Sequence, residues 1–179
     1  SWRDPADCSV LELEVALTDW DWRGKRLRAR DGLAEAARWP LGCRKLPLDR
    51  NMIETVDLPE LVIIGILVEA PWQDLPSRVR AAWTRLFAAE TGATAFLEAS
   101  LAVENGVYRE IVGYLAAQKS EIPAGMTKVV VRPQRYLRLM HDGPLAGIAD
   151  SYGRLMRHAR AAGLTPTAMK LDFGYRPGL

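Results

Sequence analysis

Cysteine and histidine are scarce in this 179-residue chain, with two of each. Cys8 and Cys43 form no Cys-x-x-Cys pair and have no neighbouring histidine, so neither a zinc site nor a disulfide framework is expected. A Gly-rich phosphate loop is missing, which argues against a nucleotide cofactor, and no other cofactor or metal is implied. Ser100, Ser120 and Ser151 lack a Gly-x-Ser-x-Gly setting, so no catalytic nucleophile stands out. The net charge of +2 is too small to make nucleic acid or an anionic membrane the main partner. The longest apolar run, Leu61 to Val68, is far shorter than a membrane span, and the first residues lack the basic and apolar regions of a signal peptide. A reduced, cytoplasmic location is the resulting expectation. What remains is 49% hydrophobic and 26% charged, the composition of a folded globular domain of this length, with or without an appendage.

Residues 1–50 read as an N-terminal extension of unknown role, a hairpin followed by a short helix. Val10 to Leu17 alternates apolar and acidic residues and Lys25 to Arg30 alternates with basic ones, so a hairpin between them would set Glu12 and Glu14 against the arginines. The basic cluster is expected to be a solvated strand face and not a nucleic-acid patch. Leu33 to Trp39 suggests a short helix stopped by Pro40, and Cys43 to Met52 a linker. Trp20, Trp22 and Trp39 would cover a small core or a neighbouring subunit, which leaves a homodimer open.

The second region, residues 51–179, has clearer periodicity. Leu61 to Val68 is apolar on both alternating faces, as in a fully buried strand, and Gly65 permits a close approach. Pro76 to Thr91 spaces Val79, Ala82, Trp83, Leu86 and Phe87 along one helical stripe, closed by Gly92. After Ile122-Pro123-Ala124-Gly125, Thr127 to Val131 and Tyr136 to His141 are strand-like. A second helix follows, with Leu145, Ile148, Tyr152, Leu155, Met156 and Ala159 on its stripe, and Thr165 to Tyr175 is a last strand. The recurrence predicts an α+β fold: two pseudo-repeated β-α-β-β units in one antiparallel sheet, two helices on one face, and a ligand cleft between the repeats.

Asn105-Gly106 marks a two-residue turn, because both central residues of a type I′ turn need positive φ. Counting outward from that turn pairs Leu101 with Glu110, Ala99 with Val112 and Leu97 with Tyr114. Glu110 then lies among Leu97, Ala99, Leu101, Val103, Tyr108, Val112 and Tyr114, while Glu98 and Ser100 face the other way. A carboxylate on so apolar a face needs a partner, a raised pKa or a ligand. Trp83 and Tyr152 belong to helix stripes and are expected in the core. Trp72, Tyr136 and Phe173 suit a core or a pocket equally, and His141, before Asp142-Gly143-Pro144, is expected to bond locally.

From about Ile53 onward the chain resembles the GyrI-like domain, the effector-binding domain of bacterial transcription activators. The resemblance rests on Val56-Asp57-Leu58-Pro59-Glu60-Leu61 with Ile64-Gly65, on Ala82-Trp83-Thr84-Arg85-Leu86-Phe87, and on Tyr108-Arg109-Glu110-Ile111. It continues through Ile122-Pro123-Ala124-Gly125 and Arg135-Tyr136 with His141-Asp142-Gly143-Pro144. It implies a small-molecule-binding domain over residues 51–179 of a transcription regulator or drug-sequestering protein, receiving lipophilic, often cationic compounds. Glu110 matches an acidic position of that family. The family's last-strand glutamate is replaced here by Lys170 or Asp172, depending on alignment. The expected ligand-binding set is therefore Glu110, Tyr108, Tyr114, Trp72, Phe173, Asp172 and Tyr136, with a charge-plus-aromatic mode of recognition. DNA would be reached only through a DNA-binding domain that is not recognised in this chain. The alternative that the resemblance carries is a hydrolase of cyclopropane-bearing genotoxins, with Glu110 positioning or deprotonating a water.

Overall fold

The computed structural model describes residues 9–18 and 52–178. The expected strand Lys25–Arg30, the helix Leu33–Trp39, the tryptophans Trp20, Trp22 and Trp39, and the linker up to Asn51 lie outside the described residues. Eight strands make one antiparallel sheet: β1 (Ser9–Leu17), β2 (Ile53–Leu58), β3 (Leu61–Pro71), β4 (Phe96–Glu104), β5 (Val107–Leu115), β6 (Thr127–Val131), β7 (Gln134–Gly143) and β8 (Pro166–Tyr175). Their order across the sheet is β2-β7-β1-β8-β4-β5-β3-β6. Helix α1 (Leu75–Ala88) links β3 to β4, and α2 (Ile148–Ala161) links β7 to β8 after a 3-10 turn over Leu145–Gly147. Ala88 ends α1 three residues before the expected Thr91, and Gly92 beyond it holds φ +69°.

Both helices lie on the same face of the sheet. Ala82 and Leu86 of α1 bury against Ile64, Ile66, Val68 and Val112, while Leu155 and Ala159 of α2 bury against Leu11, Leu13, Val15, Leu137 and Leu139. Leu145 instead sits in the 3-10 turn and is exposed. The opposite face carries its own core of Leu61, Ile63, Leu97, Ala99, Ile111, Tyr136, Leu171 and Phe173. That cluster draws on Val131 of one edge strand and packs Val56 and Leu58 of the other, so the sheet coils around it. Ile63, Leu97, Ile111 and Leu171 have no accessible surface at all. Each such side chain stabilises the fold by about 1.5–3 kcal/mol through burial alone.

At the centre of one half, Gly65 of β3 is directly opposite Gly113 of β5. A Cβ on Gly65 would stand 2.2 Å from the Val112 carbonyl oxygen, so only two glycines allow these backbones to approach.

Two expectations are corrected. The first fifty residues are not wholly an appendage, because β1 is an inner strand paired with β7 on one side and β8 on the other. Glu12 and Glu14 consequently meet Arg138 of β7, and Glu14 is fully buried instead of lying on a solvated face.

The β4–β5 register also differs beyond its first three pairs. Asn105 and Gly106 do take φ of 51° and 78°, and Glu104 faces Val107, Val103 faces Tyr108 and Ala102 faces Arg109. A bulge at Leu101 then shifts the pairing, so that Ser100 faces Glu110, Glu98 faces Val112 and Phe96 faces Tyr114. Because side chains alternate with period two, that single extra residue exchanges the faces of everything before it on β4. Leu97 and Ala99 join Ile111 in the core of the coiled face. Glu98 and Ser100 come to the side of Glu110, under the helices.

Candidate functional site

The strand order leaves β8 and β4 side by side in the middle of the sheet, between the strands covered by α2 and those covered by α1. Register sets Glu98 of β4 directly opposite Asp172 of β8, and Ser100 opposite both Glu110 and Lys170. Three carboxyl groups thus meet on the helix-facing side of the sheet, with Glu98 and Glu110 within hydrogen-bonding reach of each other. The bulge at Leu101 and a second register shift between Phe96 and Leu97 produce this convergence.

Aromatic side chains from both helices and from β8 enclose the group. The Trp83 indole of α1 donates to Glu98 Oε2 at 3.0 Å, and its ring lies 4.4 Å from that of Tyr175, centroid to centroid. The Tyr152 hydroxyl of α2 donates to Asp172 Oδ1. Ser100 Oγ donates to Glu110 Oε1 at 2.9 Å, and Lys170 Nζ lies 5.1 Å from the centroid of the Tyr152 ring. Phe87, Phe96 and Tyr114 continue the aromatic contacts outward from Trp83.

Burial dominates the electrostatics. Desolvation, followed by repulsion from Asp172 and Glu110, pushes the Glu98 carboxyl up to about 8. Asp172 is pushed up to about 7, again chiefly by desolvation, with the Tyr152 hydrogen bond and Lys170 opposing the rise. The Tyr152 and Tyr175 hydroxyls are both driven upward by burial and by the carboxylates around them. Near neutral pH the cluster therefore holds protons that free carboxyls would have released. A positive charge entering it would displace protons and gain attraction in a weakly screened setting.

The sequence-expected ligand residues divide between the two faces. Glu110 and Asp172 are brought together, with Tyr114 and Tyr108 further along the same face of β5. Trp72, at the end of β3, is 67% exposed and stands against Tyr108 at 5.4 Å. Tyr136 and Phe173 lie in the core of the opposite face, where Tyr136 is fully buried with its hydroxyl accepting from Gln134. Neither adjoins the carboxyls. Of the two last-strand alternatives, Asp172 faces Glu98 and Lys170 faces Ser100. Glu98, Trp83, Tyr152 and Tyr175 were not expected in the site. The unread bulge hid Glu98, and the helix stripes made Trp83 and Tyr152 look like ordinary core residues.

No protein-family model matches the chain, and no curated protein sequence matches it.

Two hollows of about 460 and 240 Å³ open elsewhere on the surface, and neither is lined by Glu98, Glu110 or Asp172. The carboxyls instead lie against Trp83, Tyr152 and Tyr175, whose rings and polar atoms contact them or one another. Among the described residues, no group of three or more His, Cys, Asp or Glu side chains is placed to hold a metal ion. No helix among them is long and apolar enough to cross a membrane.

A second buried charge cluster sits on the coiled face. Arg138 donates from Nε and Nη2 to Glu14 Oε1 at 2.9 and 2.7 Å, and its Nε is 2.6 Å from Glu12 Oε1. That last contact is off the N–H direction, so it is an ion contact and not a hydrogen bond, and among the described residues no N–H or hydroxyl donor reaches Glu12 Oε1 or Glu14 Oε2. Glu54 adds a third carboxylate at 3.6 Å. Desolvation outweighs the guanidinium's pull and raises Glu14 to about 8. Among the described residues one cation serves three acids here and ties β1, β7 and β2 together.

His141 is buried with Nδ1 2.9 Å from Ser151 Oγ and Nε2 3.1 Å from the Pro144 carbonyl oxygen. A carbonyl can only accept, so Nε2 carries the proton and, in the neutral ring, Nδ1 accepts from the serine hydroxyl. The histidine fastens the turn before α2.

Proposed function

We propose that the protein binds a lipophilic cationic small molecule on the helix-facing side of its sheet, as the effector-binding or drug-sequestering domain that the GyrI-like resemblance implies. The observation that carries this reading is the meeting of Glu98, Glu110 and Asp172 beneath Trp83, Tyr152 and Tyr175. An acidic group buried under aromatic rings is suited to a delocalised monocation, whose charge the carboxylates attract and whose flat surface the rings can stack on. Such a pairing tolerates ligands of different outline.

The cleft between repeats belongs to this proposal. Read from either edge, the strand order runs edge strand, strand before the helix, third strand, strand after the helix: β2-β7-β1-β8 from one side and β6-β3-β5-β4 from the other. That symmetry supports two β-α-β-β units, the third strand of the second being supplied by β1, with Glu98 and Asp172 on the strands where the units would join.

Binding of ethidium, a delocalised aromatic monocation, tests the reading. Glu110→Gln should weaken it by about 1–3 kcal/mol, the scale of one lost charge-assisted contact. Equal affinity of the two proteins would remove the carboxylate from the proposed role.

One observation favours a second reading, a hydrolase acting on a cyclopropane-bearing genotoxin. Carboxyl groups raised to about 8 and about 7 titrate where general acid–base catalysis operates best. Prolonged incubation with such a compound, followed by chromatography, decides the matter. Intact compound excludes hydrolysis, and a ring-opened product that Glu110→Gln abolishes establishes it.

A further inference from the structure

Strand β3 is hydrogen-bonded to β5 along Ile63–Pro71, but on its other side β6 pairs only with Leu61–Gly65. From Ile66 to Ala70 that outer edge has no partner strand among the described residues, although the strand itself continues. Open edges of this length are usually blunted, because their unpaired N–H and C=O groups invite another chain.

Glu69, paired with Arg109, and Pro71 bound this edge at its far end, while Ile66 to Val68 carry no charge. On the helix side, a hollow of about 240 Å³ is lined by Ile66, Val68, Ala81 and Ala82, with Arg78 and Arg85 of α1. On the coiled side, Leu67 and Arg109 lie in the wall of the hollow of about 460 Å³, whose floor includes Leu101, Val129 and Met169. Leu67, between the two, is 41% exposed. Alternate side chains of a strand added here would point into one hollow and then the other, since the side-chain period is two. Charge selects the occupant further. Arg78 and Arg85 line the helix-side hollow, and the one carboxylate among its lining residues, Glu69, is bound by Arg109 at 2.7 Å.

We propose that the Ile66–Ala70 edge receives an extended acidic peptide segment of a partner protein as an added β-strand, its apolar side chains entering the two hollows and its carboxylates meeting Arg78 and Arg85. This surface is distinct from the carboxyl cluster and does not depend on it. Backbone hydrogen bonds would give the affinity and the arginines the sign preference.

The test uses the full chain and a fluorescein-labelled decapeptide alternating Glu and Val, followed by fluorescence anisotropy, with an alternating Lys and Val peptide as control. The acidic peptide should bind at least tenfold more tightly, and Arg78→Glu/Arg85→Glu should reverse that order while leaving the melting temperature within a few degrees. Two further acidic peptides, N-methylated on the odd or on the even residues, differ in which edge keeps its donors, and the one whose donors toward β3 are blocked should not bind. Amide exchange should also slow at Ile66–Ala70 when the acidic peptide is bound. Equal binding of all the peptides, unchanged exchange at that edge, or a concentration-dependent dimer that buries it in place of the peptide would each overturn the proposal.

Discussion

Replacing Glu98 with glutamine probes the carboxyl cluster through its protons. In the folded protein burial pushes Glu98 up to about 8, whereas an exposed glutamate has a pKa of 4.5. The folded state therefore binds more protons than the unfolded chain between those two limits. Stability from this group is fully present below about pH 4.5 and is lost as pH rises toward 8, with a slope of up to about 1.4 kcal/mol per pH unit. Glutamine copies the protonated acid: its carbonyl can accept from the Trp83 indole and its amide can donate to Glu110. Glu98→Gln should be close to neutral near pH 4.5 and gain on the parent as pH rises, by about 1–2 kcal/mol between pH 6 and pH 8 after discounting for relaxation around the site. Urea unfolding at pH 6, 7 and 8 measures both proteins on the same footing. If the two stability–pH curves run parallel from 6 to 8, Glu98 is ionised throughout and the electrostatic account of the site is wrong.

Other perturbations test the frame that holds the cluster. Arg138→Met removes the one cation that the described residues place between Glu12, Glu14 and Glu54, and should cost about 3–5 kcal/mol in urea unfolding at pH 8, less at pH 5 where the acids can take up protons. Gly65→Ala forces a methyl group against the Val112 carbonyl and the Gly113 Cα at 2.5 Å, and should lower stability by at least 2 kcal/mol, about the cost of overpacking. Trp72→Ala, at a 67% exposed position away from the carboxyls, should change stability by no more than about 0.5 kcal/mol and leave ethidium affinity unaltered.

Much of the architecture was legible from periodicity. The apolar run of β3, the two helical stripes and the Asn105-Gly106 turn each carry a local signal that tertiary contacts reinforce. The place of β1 was not legible, since Glu12 and Glu14 alternate with apolar residues just as they would on a solvated strand. Only Arg138, more than a hundred residues away, makes that polar face an inner one. The bulge at Leu101 was equally hidden. Past Glu110, β5 offers Ile111 and Val112 to opposite faces, so hydrophobicity does not distinguish the two registers. Glu110 could be singled out because it is a lone charge within an apolar strand. Glu98 could not, because its neighbourhood exists only once the extra residue has turned it toward the helices.

The most direct test of the account follows the Trp83 indole N–H by NMR as ethidium is added. Binding among the carboxyls must break or rearrange its 3.0 Å hydrogen bond to Glu98, so the Trp83 resonance should shift strongly, and it should cease to respond in Glu98→Gln/Glu110→Gln/Asp172→Asn. A dye that binds while leaving the Trp83 signal in place, with the changes confined to residues such as Leu67 and Val129, would contradict it.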